Sequence, residues 1–483
     1  MTVFLVNPLS LAGKDNIKYA RFVPHFPPTG LAYIAAVLEK NGYRVIIEDQ
    51  HASKISNENL LEHIRREEPQ VVGFSCLTPA ISNVKILTDQ IRGFGKNIKI
   101  ILGNLHSTLF AHQLLAEGIA DIIVRGEGEV SMLEVVRAVD QKEGLGNIQG
   151  ISFRDSQEIY HNPDRELVKD LDSLPYPAWH LFDLRQYINS PLVGVDKEAI
   201  LPILASRGCT YRCTVCSSDK IFGRFRLRAI EKVIDEMEFL SAKFKVDNFS
   251  FCDAFFPSSI EYGLRFCDEL IRRGLHKRIK WITETRVDKV NLDLLKKMKE
   301  AGLKMILYGF EVGAQKILDV LQKNTTLTQA KKAMEYTKKT GVLSIGQFML
   351  GVPGETIKDC KMTIAFAKQL NPEIAFFNIV VPYPGSKFFE DYKNKLGNIN
   401  YRTERFTSWP NFSACNGELI YTPQGINSRQ LINLQKKAVL GFYFRPSKIL
   451  QHLRLGLISF KDMVYGTRIL MSSYLKTVFF QWK

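Results

Sequence analysis

The stretch Ser206-Arg-Gly-Cys209-Thr-Tyr-Arg-Cys213-Thr-Val-Cys216 groups three of the eight cysteines of the chain in a C-x3-C-x2-C spacing. It directly follows an apolar segment, residues 201–205, that predicts a β-strand. Gly208 helps the loop to curl, as it must if three sulfurs are to face one centre. Three thiolates do not complete a four-ligand structural zinc site, but they can hold three corners of a four-iron cluster and leave the fourth iron open.

The surroundings of this cluster leave two alternatives open. A distant histidine, such as His180 or His276, would complete a zinc site, and the three cysteines would otherwise be free buried thiols. Arg207 and Arg212 place positive charge nearby, which favours thiolate over thiol. The remaining cysteines stand alone in sequence and are expected to be small buried side chains: Cys76, Cys252, Cys267, Cys360 and Cys415.

From residue 200 to 390 the chain alternates apolar strand segments with amphipathic helical segments in about six βα units. This many units in so few residues predicts a partial, TIM-type (β/α)6 barrel. The functional side chains of a barrel lie at the carboxyl ends of its strands, and three charged residues fall there: Asp253, Arg286 and Glu311.

Residues 1–140 also alternate strands and helices, with most strands fully apolar, which predicts a doubly wound parallel sheet of the flavodoxin type. Such a sheet binds its ligand beyond the carboxyl ends of its strands. Three polar loops occur there and predict a ligand crevice, with these candidate residues: Ser75, Thr78, Gly103, Asn104, His106, Gly126, Glu127 and Gly128.

Residues 141–199 are expected to be a connector, since Pro175 and Pro177 forbid a regular helix there. Residues 391–483 form a C-terminal extension, with an aromatic cap followed by amphipathic helices from Ser428 onward. The α/β chain thus divides into four parts.

The composition, 45% hydrophobic and 24% charged over 483 residues, excludes a disordered chain and a disulfide-dense secreted scaffold. The start of the chain lacks the features of a signal peptide, and no uncharged apolar run of about 18 residues occurs, so we expect a cytoplasmic protein. Residues 421–483 hold ten Lys and Arg against the single acid Asp462, a net +9 of the total +15. This excess predicts either peripheral contact with the inner face of a membrane or a solvated basic face packed on the barrel, and it does not favour nucleic acid.

The cysteine motif and the later strand ends resemble those of the radical S-adenosylmethionine (radical SAM) enzymes. The matching strand ends are Phe251-Cys-Asp253-Ala-Phe-Phe256, Glu284-Thr-Arg286-Val-Asp288, Gly309-Phe-Glu311-Val-Gly313, Gly351-Val-Pro-Gly-Glu-Thr356 and Val381-Pro-Tyr-Pro-Gly385. The resemblance implies a [4Fe-4S] cluster on Cys209, Cys213 and Cys216 whose open iron chelates S-adenosyl-L-methionine (SAM). Reductive cleavage then gives a 5′-deoxyadenosyl radical. It also implies that Asp253, Arg286 and Glu311 bind SAM.

The first half is similar to the cobalamin-binding domain that precedes the radical domain in one branch of that family. The resemblance assigns the eight crevice residues above to cobalamin. Many such domains carry D-x-H-x-x-G after the first strand, whereas this loop begins Asn7-Pro-Leu-Ser and has no such histidine. We therefore expect cobalamin to bind without a histidine as lower ligand, and His51 to be a solvated loop residue. The alternative is a degenerate flavodoxin-like module that binds nothing.

The resemblance implies methyl transfer from methylcobalamin to an unactivated carbon, and we expect flavodoxin or ferredoxin as electron donor. The aromatic cap and the basic, amphipathic tail indicate a small, hydrophobic substrate. Radical rearrangement or oxidative cyclisation on the same cofactors is the alternative. A transfer RNA methylthiotransferase would need a second cysteine trio, and the N-terminal half has only Cys76. A non-catalytic corrinoid-binding or sensor protein remains the alternative of another class.

Overall fold

The computed structural model describes residues 1–9, 26–95, 97–187, 199–393 and 419–455. The N-terminal part consists of β1 (Thr2–Asn7), α1 (Thr29–Lys40), β2 (Arg44–Asp49), α2 (Gln50–Ser53), α3 (Asn57–Glu67), β3 (Val71–Ser75), α4 (Ile81–Arg92), β4 (Lys99–Gly103), α5 (Leu105–Leu109), α6 (Ala111–Ala116), β5 (Ile122–Val124), α7 (Glu129–Gln141), β6 (Ile151–Asp155) and β7 (Glu158–His161).

The first sheet has the strand order β2-β1-β3-β4-β5-β6-β7, and its first five strands are parallel. The order reverses between β1 and β3, so helices cover both faces. Along β1, Val3 and Leu5 pack with α1 and α7, whereas Phe4 and Val6 pack with α3, α4 and α6. The predicted doubly wound sheet is confirmed.

The antiparallel hairpin β6–β7 lies inside the range predicted as a connector. Ile151, Ser152 and Phe153 are all buried, and β6 pairs antiparallel with β5. The rest of the connector has short 3-10 turns at Leu171–Ser173, Trp179–Leu181 and Leu184–Tyr187.

The second part consists of β8 (Ile200–Ile203), β9 (Ser206–Arg207), α8 (Asp219–Phe222), β10 (Arg226–Leu227), α9 (Ile230–Phe244), β11 (Asn248–Phe251), α10 (Ile260–Arg272), β12 (Lys280–Thr285), α11 (Leu292–Glu300), β13 (Leu303–Glu311), α12 (Gln315–Val320), α13 (Leu327–Thr340), β14 (Leu343–Leu350), α14 (Ile357–Leu370), β15 (Ile374–Ile379) and α15 (Lys387–Lys393). The described residues after 419 contain two helices, α16 (Ser428–Tyr443) and α17 (Pro446–Arg454).

Six parallel strands, β8, β11, β12, β13, β14 and β15, pair in the order of the chain without a reversal. Right-handed crossovers then place the helices on one face, and the sheet curves into the predicted partial barrel. Trp281 packs outward against Phe266 of α10, whereas Ile282 meets Met305 and Ile345 in a small inner cluster.

The C-terminal helix α16 covers the edge strand β15 of the barrel. Leu431, Leu434, Ala438 and Phe442 are buried, as the helical spacing predicts. The hydroxyl of Tyr443 donates to the Ala375 carbonyl and accepts from its N–H, both at 2.9 Å. The N–H and carbonyl of Ala375 on the edge strand therefore have a partner on α16.

The predicted cap falls mostly outside the described residues, and so do the predicted amphipathic runs 461–464 and 469–480. Within the described part, no helix has the length and apolar character needed to span a bilayer.

Candidate active site

The cysteine loop lies between β9 and α8, and the antiparallel pairing of β9 with β10 holds its two ends together. Gly208 has a φ of +84°, and a Cβ there would lie 2.4 Å from the carbonyl oxygen of Arg224. The curl of the loop therefore requires glycine at this position. Cys209 and Cys213 are half-buried, and Cys216 is exposed.

The charges that face these thiols differ from those expected. Burial raises the pKa of Cys213, and the charges of Lys323 and Arg286 oppose this rise. Burial also raises the pKa of Cys209. Arg207, which was expected to favour the thiolates, is ion-paired with Glu127 and Glu129 of the N-terminal part.

The three thiols influence one another electrostatically, since Cys216 acts on both Cys209 and Cys213. Within the described ranges, no three His, Cys, Asp or Glu side chains approach closely enough to hold a single metal ion. A four-iron cluster takes one sulfur per iron, so its ligands lie farther apart, and this donor set fits such a cluster. His180, a candidate zinc ligand, instead contacts Glu39.

Arg286, at the end of β12, lies against the cysteine loop. Its guanidinium carbon is 3.4 Å from the ring centroid of Tyr211. Its Nε donates to Asp288 at 2.9 Å, and its Nη2 donates to the carbonyl of Lys323 at 2.7 Å. Arg286 is therefore a fixed cation beside the cysteines, as its predicted contact with the SAM carboxylate requires.

Glu311, at the end of β13, sits where the register with β14 shifts. Its φ of +65° is the left-handed conformation that side chains rarely adopt. Its carboxylate pairs with the ammonium of Lys323, which also donates to the Gly309 carbonyl at 2.6 Å. Lys323 thus joins Arg286, Glu311 and the neighbourhood of Cys213 in one network.

Asp253, at the end of β11, is buried and accepts hydrogen bonds from the hydroxyl of Ser206 and, at 3.1 Å, from the N–H of Ala205. Burial raises its pKa to about 7. Asp253 therefore braces the start of the cysteine loop. Its role toward SAM stays a prediction.

Four functional candidates escaped the sequence argument: Tyr211, Glu284, Lys323 and Cys252. Lys323 follows α12 rather than a strand, so the rule of carboxyl strand ends could not find it. Cys252 was expected to be buried, but it lines the cavity described below.

Glu284 shares the inward-facing side of β12 with Ile282, and burial together with the charge of Glu311 raises its pKa to about 7. Glu284 is surrounded by protein atoms but is still accessible to solvent, as expected for a side chain that faces the open interior of the barrel.

A cavity of about 560 Å³ lies between the carboxyl ends of the two sheets. From the first sheet it takes the ends of β1, β3 and β4 and the loop after β5, and from the barrel it takes the segments around Ser206 and Asp253. Six of the eight residues predicted for cobalamin line it: Ser75, Gly103, Asn104, Gly126, Glu127 and Gly128.

The other two predicted residues, Thr78 and His106, are buried and hydrogen bonded to each other at 3.0 Å, and they are not among the described lining residues. Asn104 braces the crevice by donating to the Ser75 hydroxyl at 3.0 Å. The carboxylate of Glu127 is engaged by Arg207 and Arg226 of the barrel.

No histidine is among the described residues that line the cavity. His51 belongs to helix α2 and is half-buried, so it is not the solvated loop residue that was expected. Binding of cobalamin without a histidine ligand stays a prediction. The crevice fits cobalamin in its position at the reversal of the strand order and in the close backbone approach that its glycines permit.

Comparison with family models gives two matches. The B12 binding domain matches residues 19–136, and the Radical SAM superfamily matches residues 203–367. Together with the cavity between the two sheets, these matches define the class: a radical SAM enzyme that carries a B12 binding domain.

Relatives extend over most of the chain. An anaerobic magnesium-protoporphyrin IX monomethyl ester cyclase of Rubrivivax gelatinosus is 31% identical and covers 84% of this chain and 73% of its own. An uncharacterized methyltransferase of Pyrococcus horikoshii is 28% identical over 88% of this chain and 90% of its own. The chain belongs to the family of cobalamin-dependent radical SAM enzymes, whose cofactors are cobalamin, a [4Fe-4S] cluster and SAM.

Solved structures share the fold. The radical SAM methyltransferase TsrM from Kitasatospora setae, with cobalamin and a [4Fe-4S] cluster bound, aligns with a TM-score of 0.66 at 17% identity, over 82% of this chain and 75% of that one. The cobalamin-dependent radical enzyme OxsB aligns with a TM-score of 0.64 at 19% identity, over 83% of this chain and 56% of that one.

Proposed function

We propose that this enzyme transfers a methyl group from methylcobalamin to an unactivated carbon of a small molecule. The observation that carries the proposal is a shared cavity onto which both sheets open, with the crevice loops on one wall and the segment before Cys209 on the other. One cavity lets the substrate meet the radical and the methyl donor without leaving the protein.

When bound, the cluster and SAM supply a radical that removes a substrate hydrogen, and cobalamin supplies the methyl group. The chain positions these groups and excludes water. Cys209, Cys213 and Cys216 hold the cluster, Arg286 pairs with the SAM carboxylate, and Glu311 accepts from SAM hydroxyls or its ammonium.

The side chains on the inner face of the barrel favour a substrate with an apolar body and at least one polar group. On β15, Phe376 and Asn378 alternate with buried neighbours and are exposed. Asn378 donates to Gln347 of β14 at 3.2 Å, so the polar groups lie together.

The test is incubation of the reconstituted enzyme with candidate substrates and SAM carrying a deuterated methyl group. Mass spectrometry should find a product in which one hydrogen of the substrate is replaced by a CD3 group, together with 5′-deoxyadenosine. Cys213→Ala should abolish both products, whereas Cys267→Ala, which changes a cysteine of helix α10, should keep both. Labelled product from the Cys213→Ala enzyme would contradict the assignment.

Oxidative cyclisation or rearrangement is the second candidate, and the cyclase relative at 31% identity favours it. It predicts 5′-deoxyadenosine without gain of the labelled methyl group. A corrinoid sensor would cleave no SAM even with dithionite as reductant.

We also propose that the enzyme is cytoplasmic and that flavodoxin or ferredoxin supplies its electrons. Peripheral membrane contact through the C-terminal extension is supported by α17, on which Leu450 and Leu453 are 48% and 41% exposed. Flotation on anionic liposomes should weaken when residues 447–483 are removed; equal flotation would exclude this contact.

A further inference from the structure

Four charged side chains are buried where the cobalamin-binding domain meets the cysteine loop. Glu127 and Glu129 follow β5, whereas Arg207 belongs to β9 and Arg226 to β10. The acids are 6% and 5% exposed, and the guanidinium side chains are 8% and 11% exposed. We call this group the domain seam.

The pairing within the domain seam is dense. Glu127 binds Arg226 through two hydrogen bonds of 2.8 Å, one from each Nη atom. Arg207 reaches Glu127 at 3.3 Å through Nη1 and Glu129 at 2.6 Å through Nη2. Burial alone raises the pKa of Glu127, but the hydrogen bonds from Arg226 and Val168 outweigh it and hold this pKa below its ordinary value.

Two further segments close around the domain seam. The N–H of Val168, in the connector, donates to Glu127 at 2.9 Å, and its carbonyl accepts from Arg226 at 2.7 Å. The guanidinium carbon of Arg207 lies 4.8 Å from the ring centroid of Tyr33 on α1. The cobalamin-binding domain, the connector and the barrel therefore meet at one point.

The position of the domain seam relates it to both cofactors. Arg207 stands two residues before Cys209, and the β9–β10 pair that contains both arginines brackets the cysteine loop. The loop from Gly126 to Glu129 lines the cavity on the corrin side. Two carboxylates balance two guanidinium groups, so no buried charge is left over.

We propose that Glu127 and Glu129 are positioning residues that hold the cysteine loop, and with it the cluster, at a fixed distance from the corrin. This differs from the direct contact with cobalamin that the sequence predicted for Glu127. The proposal rests on the two cofactors of the family, and it does not depend on whether the substrate is methylated or cyclised.

The test uses the full-length enzyme loaded with the cluster and hydroxocobalamin and then reduced. Reduced cluster and cob(II)alamin are both paramagnetic, so their dipolar coupling in the EPR spectrum reports the distance between them. We expect one defined coupling in the wild type and its loss or broad spread in Glu127→Gln, with iron content and bound cobalamin retained. Glu134→Gln is the matched control, because Glu134 lies on α7 but pairs with Arg165 of the connector.

A double substitution distinguishes loss of the positioning role from general destabilisation of the protein. Glu127→Gln combined with Arg226→Gln restores the charge balance, so this double variant should recover more of the coupling than either single change. If Glu127→Gln does not fold, the spectrum is measured on Glu129→Gln and on the double variant.

Three results would overturn the proposal. The first is a wild-type coupling in Glu127→Gln, or in Glu129→Gln if the first variant does not fold. The second is selective loss of cobalamin with an intact cluster, which would make Glu127 a cobalamin ligand. The third is a double variant no better than the single ones.

Discussion

The guanidinium of Arg286 stacks on the ring of Tyr211, with 3.4 Å between the guanidinium carbon and the ring centroid. Tyr211 lies between Cys209 and Cys213, so a strand end of the barrel is held directly against the cysteine loop. The same arginine is tied to the Lys323 carbonyl, which connects it with the pair of Lys323 and Glu311.

Arg286→Lys should therefore weaken SAM binding without unfolding the barrel. Lysine keeps the charge but loses the planar stack and the second hydrogen bond. A buried cation–π contact is worth about 2 kcal/mol. Because this contact holds the guanidinium in place for SAM, its loss should raise the dissociation constant of SAM by up to roughly 30-fold. The SAM-induced change in the EPR spectrum of the reduced cluster measures this, with exposed Arg272→Lys as control. Equal affinity of the two variants would remove Arg286 from the SAM site.

Gly208→Ala should prevent assembly of the cysteine loop. Its Cβ would meet the Arg224 carbonyl oxygen at 2.4 Å, and its φ of +84° is unfavourable for alanine. Iron bound after reconstitution should fall steeply, whereas Gly144→Ala, where a Cβ meets nothing within 4 Å, should bind iron normally. Full iron content in Gly208→Ala would show that the loop tolerates another path.

Asp253 should make the stability of the apoprotein depend on pH. Its folded pKa of about 7 lies above that of an unfolded aspartate, so the folded state binds more protons between about pH 4 and pH 7. Stability contributed by Asp253 is thus present at low pH and lost as pH rises through this window, by up to about 1.4 kcal/mol per pH unit. Asp253→Asn should remove that slope in urea unfolding, and Asp164→Asn, at an exposed site, should not. Parallel curves for wild type and Asp253→Asn would contradict the raised pKa.

Tyr443→Phe should destabilise the barrel edge. The change leaves the N–H and carbonyl of Ala375 without their 2.9 Å partner on α16, at a cost of about 1–3 kcal/mol. Thermal unfolding should detect it. Tyr160→Phe, which removes an exposed hydroxyl bonded to Glu158, serves as control and should change little. An equal effect of the two substitutions would show that α16 is not needed at this edge.

Cobalamin should bind without a nitrogen ligand from histidine. Labelling the histidines of the protein with 15N should then leave the EPR spectrum of the cob(II)alamin form unchanged, and so should His51→Ala, because any nitrogen splitting would come from the dimethylbenzimidazole of the cofactor. Splitting that disappears in a histidine variant would identify the ligand that the sequence argument excluded.

Most of the fold could be predicted from local sequence patterns. The alternation of Val3 and Leu5 with Phe4 and Val6 predicts a strand covered on both faces, and the structure has it. The β6–β7 hairpin was missed because Pro175 and Pro177 forbid a regular helix only near themselves, whereas the hairpin ends at His161, well before them. Helix α7, which opens with Glu129, was also missed.

The site was predictable where residues lie near one another in sequence, as in the cysteine loop. It was not predictable where the partner is remote. Arg207 and Glu127 are 80 residues apart, and the sequence around neither residue predicts that they pair. Lys323 is likewise brought to Glu311 by a helix that turns the chain back.

The domain seam has a consequence for the handling of the enzyme. Its four charges cancel and lie away from solvent, so dissolved salt screens them weakly. Ionic strength high enough to strip exposed ion pairs should leave the two cofactor domains docked. A preparation washed in concentrated salt would then keep its corrin and its cluster in the same relative position. Loss of either cofactor under such conditions would indicate a chemical change at that cofactor rather than separation of the domains.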